Sequence, residues 1–173
     1  KLARPLFYNQ YIEEITKILR CVCIKCSRLL IDKKDNINLL SYSPTDRWHN
    51  VFSMASKVKR CGDSSLDGCE CLQPTKIRKE GFATIIASWN TDAPEGDDSQ
   101  GLTMKFTPEV VLKIFKKITD EDINFMGFSS QWSRPEWMIC KVFAVPPPSI
   151  RPSVKQDSQQ RSEDDLTHII INI

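Results

Sequence analysis

A mixed α+β fold follows from three features of the sequence. Apolar residues recur with the period of a helix at Tyr11, Ile12, Ile15, Ile18 and Leu19, and again at Val110, Val111, Ile114, Phe115 and Ile118. Between these stretches, residues 81–89 and the alternating Leu102, Met104 and Phe106 read as the two strands of a short antiparallel hairpin. Cys21, Cys23, Cys26, Cys61, Cys69 and Cys71, six of the seven cysteines, fall within 51 residues. With 173 residues, 40% hydrophobic and 27% charged, the chain is long enough to bury a core without a framework of staples. No window approaches the length of an apolar membrane span, and the first residues lack the apolar segment of a signal peptide.

The first helix is expected over Tyr8 to Arg20, leading into the first cysteines. A second runs from Pro44 or Thr45 to Ser56, capped by Ser43 or Thr45, with Trp48, Val51, Phe52 and Ala55 as its apolar stripe. His49 lies beside that stripe and reads as an ordinary helix residue. The two strands that follow are joined by a polar connection, Asn90 to Gln100, which holds four acids. Thr107-Pro-Glu109 opens a third helix with Pro at its first position and Lys116 and Lys117 near its end, and Thr119-Asp-Glu-Asp122 opens a short fourth one. The Met and Phe residues at 125–128 belong to the core.

A boundary is expected near residue 133, dividing a head over 1–133 from a second segment over 134–173. In the second segment Met138 to Val145 reads as an apolar strand, and Pro146-Pro-Pro148 directs an extended exit from it. Residues 149–165 form a loop longer than an ordinary connection, which points to a function. Ser162 is expected to cap a last helix, with Asp164 and Asp165 as charge at its positive pole and Leu166, Ile169, Ile170 and Ile173 on one face. That helix carries no stop signal and the chain starts without Met, so the sequence reads as a fragment of a longer polypeptide.

Charge is distributed unevenly. The 24 Lys and Arg against 22 Asp and Glu leave a net of only +2, yet residues 1–80 hold 15 basic and 9 acidic side chains while residues 81–173 hold 9 and 13. A phosphate-binding surface therefore belongs to the first half, and Lys57, Lys59 and Arg60, beside a cysteine, are the candidates.

The odd cysteine count and missing secretion signal disfavour disulfides. Cys23-Ile-Lys-Cys26 is a C-x2-C knuckle, and with Cys61 and Cys69 it makes C-x2-C-x34-C-x7-C, a donor set for one tetrahedral structural Zn2+. Cys71 and Cys21 compete for the same role. A redox C-x2-C pair and unligated thiols are the other readings of the cluster.

Arg134-Pro-Glu-Trp-Met-Ile139, Val145-Pro-Pro-Pro148, Arg151-Pro-Ser153 and Gln160-Arg-Ser-Glu-Asp-Asp-Leu-Thr167 resemble the largest subunit of multisubunit DNA-directed RNA polymerases. The resemblance is collinear through Lys1-Leu-Ala-Arg-Pro-Leu-Phe7, Cys21 to Cys26, Leu29-Leu-Ile-Asp32, Gln73-Pro-Thr-Lys-Ile-Arg78, Trp89 and Ile114-Phe-Lys-Lys-Ile118, and is weakest over 33–60 and 90–101. It implies a clamp head built on zinc, with a short hairpin and several helices, followed by a strand, the lid loop at 151–165 and the start of a long helix in the clamp core. Cys23, Cys26, Cys61 and Cys69 match the zinc ligands, the last by its place four residues before Gln73-Pro74. The lid would set Arg151, Lys155 and Arg161 at the upstream end of the RNA–DNA hybrid. Cellular eukaryotic members carry an aromatic near its tip where this sequence has Gln156, so no stacking wedge is implied.

The family's Mg2+-binding Asn-Ala-Asp-Phe-Asp-Gly-Asp run is not in these 173 residues, and no catalytic residue is assigned. The implied partners are other polymerase subunits, template DNA, the RNA transcript and transcription factors on the clamp, with no membrane. The implied setting is intracellular, in the nucleus or, for a viral member, the virion or cytoplasm. The alternative is a stand-alone zinc-stabilised module that binds nucleic acid or protein.

Overall fold

A computed structural model describes residues 1–62, 68–81, 84–89, 102–155 and 161–172, together with the backbone but not the side chains of Lys155 and Arg161. By its contacts the chain divides into two units, one of Leu6–Cys140 and one of Lys1–Pro5 with Lys141–Ile173.

The larger unit is organised around one helix. Strand β1 (Leu6–Phe7) and a 3-10 turn (Asn9–Tyr11) lead into α1 (Ile12–Cys21), so the helix starts a turn later than the expected Tyr8. Ile12, Ile15 and Ile18 are fully buried, each worth about 1.5–3 kcal/mol relative to exposure. After a second 3-10 turn (Ile37–Ser41), α2 (Pro44–Ala55) begins where expected: the Ser43 hydroxyl accepts from the Asp46 N–H, and Pro44 fills the first turn. Trp48 of α2 donates to Glu14 of α1 and packs its ring on Phe128, 5.0 Å between centroids.

The expected hairpin is a three-stranded antiparallel sheet, β2 (Lys76–Glu80), β3 (Thr84–Ser88) and β4 (Thr103–Phe106), in that order. The sequence hides β2 because Lys76, Arg78, Lys79 and Glu80 are exposed and only Ile77 enters the core, at the edge of the sheet against α1. The acidic connection 90–101 lies outside the described residues.

Helix α3 (Pro108–Lys116) follows, with Lys113 and Lys116 in its last turn. Then α4 (Asp120–Met126) is capped by the Thr119 hydroxyl, which accepts from the Asp122 N–H. It ends on Gly127 in the left-handed region at φ 98, where a Cβ would run into the Pro44 carbonyl. Residues 135–138 form a 3-10 turn, and β5 (Ile139–Cys140) pairs antiparallel with β1. The strand expected over Met138 to Val145 is thus two residues long, because its partner β1 is equally short and is preceded by Pro5, which has no N–H to donate.

In the smaller unit the Leu2 N–H donates to the Lys141 carbonyl, and two consecutive turns start at Pro147 and Pro148. The expected 149–165 loop contains a short antiparallel hairpin, β6 (Val154–Lys155) with β7 (Arg161–Ser162), whose connection 156–160, including Gln156, lies outside the described residues. Helix α5 (Asp165–Ile171) is capped by Asp164, which accepts from the Leu166 N–H. Ser162 was the expected cap, but it is paired in β7 and cannot reach the helix. Ile173 lies outside the described residues.

Candidate metal centre

Two turns of the chain, the first directly after α1, carry the cysteines. In the first, an antiparallel bridge between Val22 and Leu29 closes the chain on itself, the Ser27 N–H donates to the Cys23 carbonyl at 2.8 Å, and the Cys23 N–H donates to the Arg28 carbonyl at 2.8 Å. Ser27 takes φ 64 to complete that turn. In the second, Arg60 bridges Leu72, the Cys61 N–H donates to the Cys71 carbonyl and the Glu70 N–H donates to the Cys61 carbonyl, both at 3.0 Å. Gly68 is required there, since a Cβ would collide with Gly62 and the Cys61 carbonyl.

These turns bring Cys23, Cys26, Cys61 and Cys69 together with every Sγ within 4.8 Å of the others. Cys23 and Cys69 are 3.5 Å apart, and Cys26 and Cys61 are 3.6 Å apart. A tetrahedral zinc with bonds of about 2.3 Å demands sulfur separations of about 3.8 Å, so the cluster is compatible with zinc binding in both donor type and spacing.

Electrostatics points the same way. Burial opposes ionisation of Cys23, but the backbone N–H groups of Cys26 and Lys25 and the neighbouring thiols hold it down to about 7. Burial pushes Cys61 up to about 12, with adjacent thiols adding to the shift, and burial also raises Cys26. One thiolate, Cys23, is thus favoured over those of Cys26 and Cys61 near neutral pH, and a cation among them is what makes several thiolates compatible.

The competing cysteines fall outside this group. Cys71 turns its thiol to the Leu72 carbonyl, while its own carbonyl is engaged by the Cys61 N–H. Cys21 is buried in the core, which pushes its thiol up to about 12.

Sequence reasoning gave Gln73 no role at the site, although it was noted beside Pro74. Its buried Nε2 donates to Cys23 Sγ at 3.3 Å and to the Cys71 carbonyl at 2.8 Å, and its Oε1 accepts from the Ile24 N–H at 3.2 Å. One amide therefore joins both turns and orients one sulfur.

Lys57, Lys59 and Arg60 are exposed on the segment between α2 and the second turn. The Lys59 carbonyl accepts from the Gln73 N–H at 2.8 Å, and Arg60 donates to the Glu70 carbonyl at 3.4 Å. In the smaller unit Arg151 donates from Nε to the Pro146 carbonyl at 2.9 Å and from Nη1 to Thr167 Oγ1 at 3.2 Å, tying the start of the segment to α5. Lys155 and Arg161 are paired residues of β6 and β7.

No helix among the described residues is long and apolar enough to cross a membrane. A family model for RNA polymerase Rpb1, domain 1, matches residues 1–173. The match runs through both cysteine turns, the three-stranded sheet and the β6–β7 hairpin, and on it the chain belongs to that family and is part of the largest subunit of a DNA-directed RNA polymerase.

Proposed function

We propose that this chain forms the clamp head and lid of the polymerase, holding nucleic acid with the first and parting transcript from template with the second. The passage between the two lies near residue 133, ahead of the division by contacts after Cys140. Cys23, Cys26, Cys61 and Cys69 hold a structural zinc whose ligands are all protein, so the ion supplies rigidity and no chemistry. The turn it fixes carries Lys57, Lys59 and Arg60, which neutralise backbone phosphates without reading bases. Nucleotide addition uses Mg2+ held by aspartates elsewhere in the polymerase. Transcription factors meet the clamp, and the enzyme works in the nucleus or, for a viral member, in the virion or cytoplasm.

The observation that carries the lid is the pairing of Val154–Lys155 with Arg161–Ser162. Two cationic residues directly opposed on a hairpin, with Arg151 anchoring its base to Thr167, form an element pinned at both ends. Such an element meets a nucleic-acid strand with little further loss of chain entropy.

In the assembled polymerase, Lys155→Glu with Arg161→Glu lengthens the RNA–DNA hybrid or raises the share of transcript left paired to template, while single nucleotide addition stays near normal. Normal strand release in that variant, read by nuclease mapping of the hybrid, reduces the hairpin to a connector. Loss of nucleotide addition places it at the reacting end instead.

A further inference from the structure

A cavity of about 740 Å³ opens between the 3-10 turn at Ile37–Ser41, α2 and α4, away from the cysteine turns. Side chains three apart in a 3-10 turn eclipse one another, so Ile37 and Leu40 stand on one side, 67% and 50% exposed, while Leu39 is buried and anchors the turn. Phe125 and Phe128 add aromatic surface, Phe128 being held against Trp48.

The rim is cationic. Lys33 is committed to Asp122 at 2.8 Å and Glu121 at 3.2 Å, but Lys34 and Arg47 make no ion pair with a described residue. Arg47 Nε is buried with no hydrogen-bond partner among the described residues. A buried donor left unpaired costs about 1–3 kcal/mol.

We propose that this groove docks an acidic protein segment, with bulky apolar side chains on Ile37, Leu40, Phe125 and Phe128 and carboxylates on Lys34 and Arg47. The charge selects among occupants. A second copy of the same surface opposes cation to cation. A phosphate backbone has nothing to place on Ile37 and Leu40 and meets the Glu121 carboxylate at the rim. Aliphatic anchors flanked by acids satisfy both the floor and the rim, in the manner of an amphipathic segment laid in a groove. The proposal rests on neither the metal nor the hairpin.

The test uses the polymerase assembled with this chain and a short fluorescein-labelled peptide in which Leu and Phe recur three and four positions apart among Asp and Glu. Fluorescence polarisation shows saturable binding, weakened at least about tenfold by Lys34→Glu with Arg47→Glu and by Leu40→Asp. A peptide with Lys in place of its acids binds the Lys34→Glu, Arg47→Glu enzyme and not the parent, which also shows that the variant is folded. Absence of binding, equal binding of the Lys peptide to the parent enzyme, or displacement of the peptide by a DNA oligonucleotide whose own affinity ignores Leu40→Asp overturns the proposal.

Discussion

A single buried amide joins the two halves of the candidate metal centre. Gln73 donates to a Cys23 sulfur and a Cys71 carbonyl while accepting from the Ile24 N–H, so its three bonds span turns that are 46 residues apart at their cysteines. Partners of this kind set ligand orientation, and their loss typically lowers metal affinity by about 10–100-fold. Gln73→Leu should therefore retain the fold with zinc in excess but release the ion to a competing chelator at correspondingly lower concentration. Cys71→Ser should lower zinc affinity far less than Cys69→Ser, because the Cys71 sulfur is not one of the four that converge and its carbonyl bond to the Cys61 N–H is kept. Titration against a chromogenic chelator reads both. The four thiols were legible as a candidate set from C-x2-C and the later pair, but the choice of Cys69 over Cys71 was not legible from spacing. The two are separated by Glu70 at φ 55, and only Cys69 brings its Sγ into the four-sulfur group.

At the scale of elements, termini were the easiest features to foresee and edges the hardest. Ser43-Pro44 and Thr119-Asp120 announce helix starts through local chemistry, and α2 and α4 begin there. Strand β2 and the hairpin of β6 with β7 were not foreseen. Both are short, polar and set by pairing with the strand that follows in the chain, which leaves little alternation to detect. The C-cap of α4 supplies a quantitative check. Gly127 and Gly81 both have positive φ, but a Cβ at Gly81 meets open space whereas one at Gly127 meets the first residue of α2. Gly81→Ala should cost about 1–2 kcal/mol from backbone conformation alone. Gly127→Ala should cost clearly more, since α2 must shift to make room. Denaturant midpoints of the two variants, compared with the parent, measure the difference.

For the whole molecule, the proposed nucleic-acid surface draws on the excess of basic residues before position 80, where Lys57, Lys59 and Arg60 are all exposed. Each phosphate that such a side chain neutralises steepens the log–log salt dependence of duplex binding by about 0.9. Replacing all three by Ala in the assembled enzyme should weaken DNA binding without changing sequence preference and flatten the slope by up to about three such increments; an unchanged slope assigns them to solvent alone. On the proposed zinc reading, the four cysteines also imply an order in synthesis. The first two sulfurs belong to residues 23 and 26, the last to residue 69, and α2 lies between them. As the chain leaves the ribosome the first knuckle emerges with only half a coordination sphere, and it waits for more than forty further residues before the site closes. At about 5–20 residues per second that interval lasts seconds, during which Cys23 and Cys26 are open to oxidation or to the wrong metal. The backbone bonds of the turn at Val22–Leu29 need no later residue, whereas the Gln73 bonds to Ile24 and Cys23 come only with the second turn.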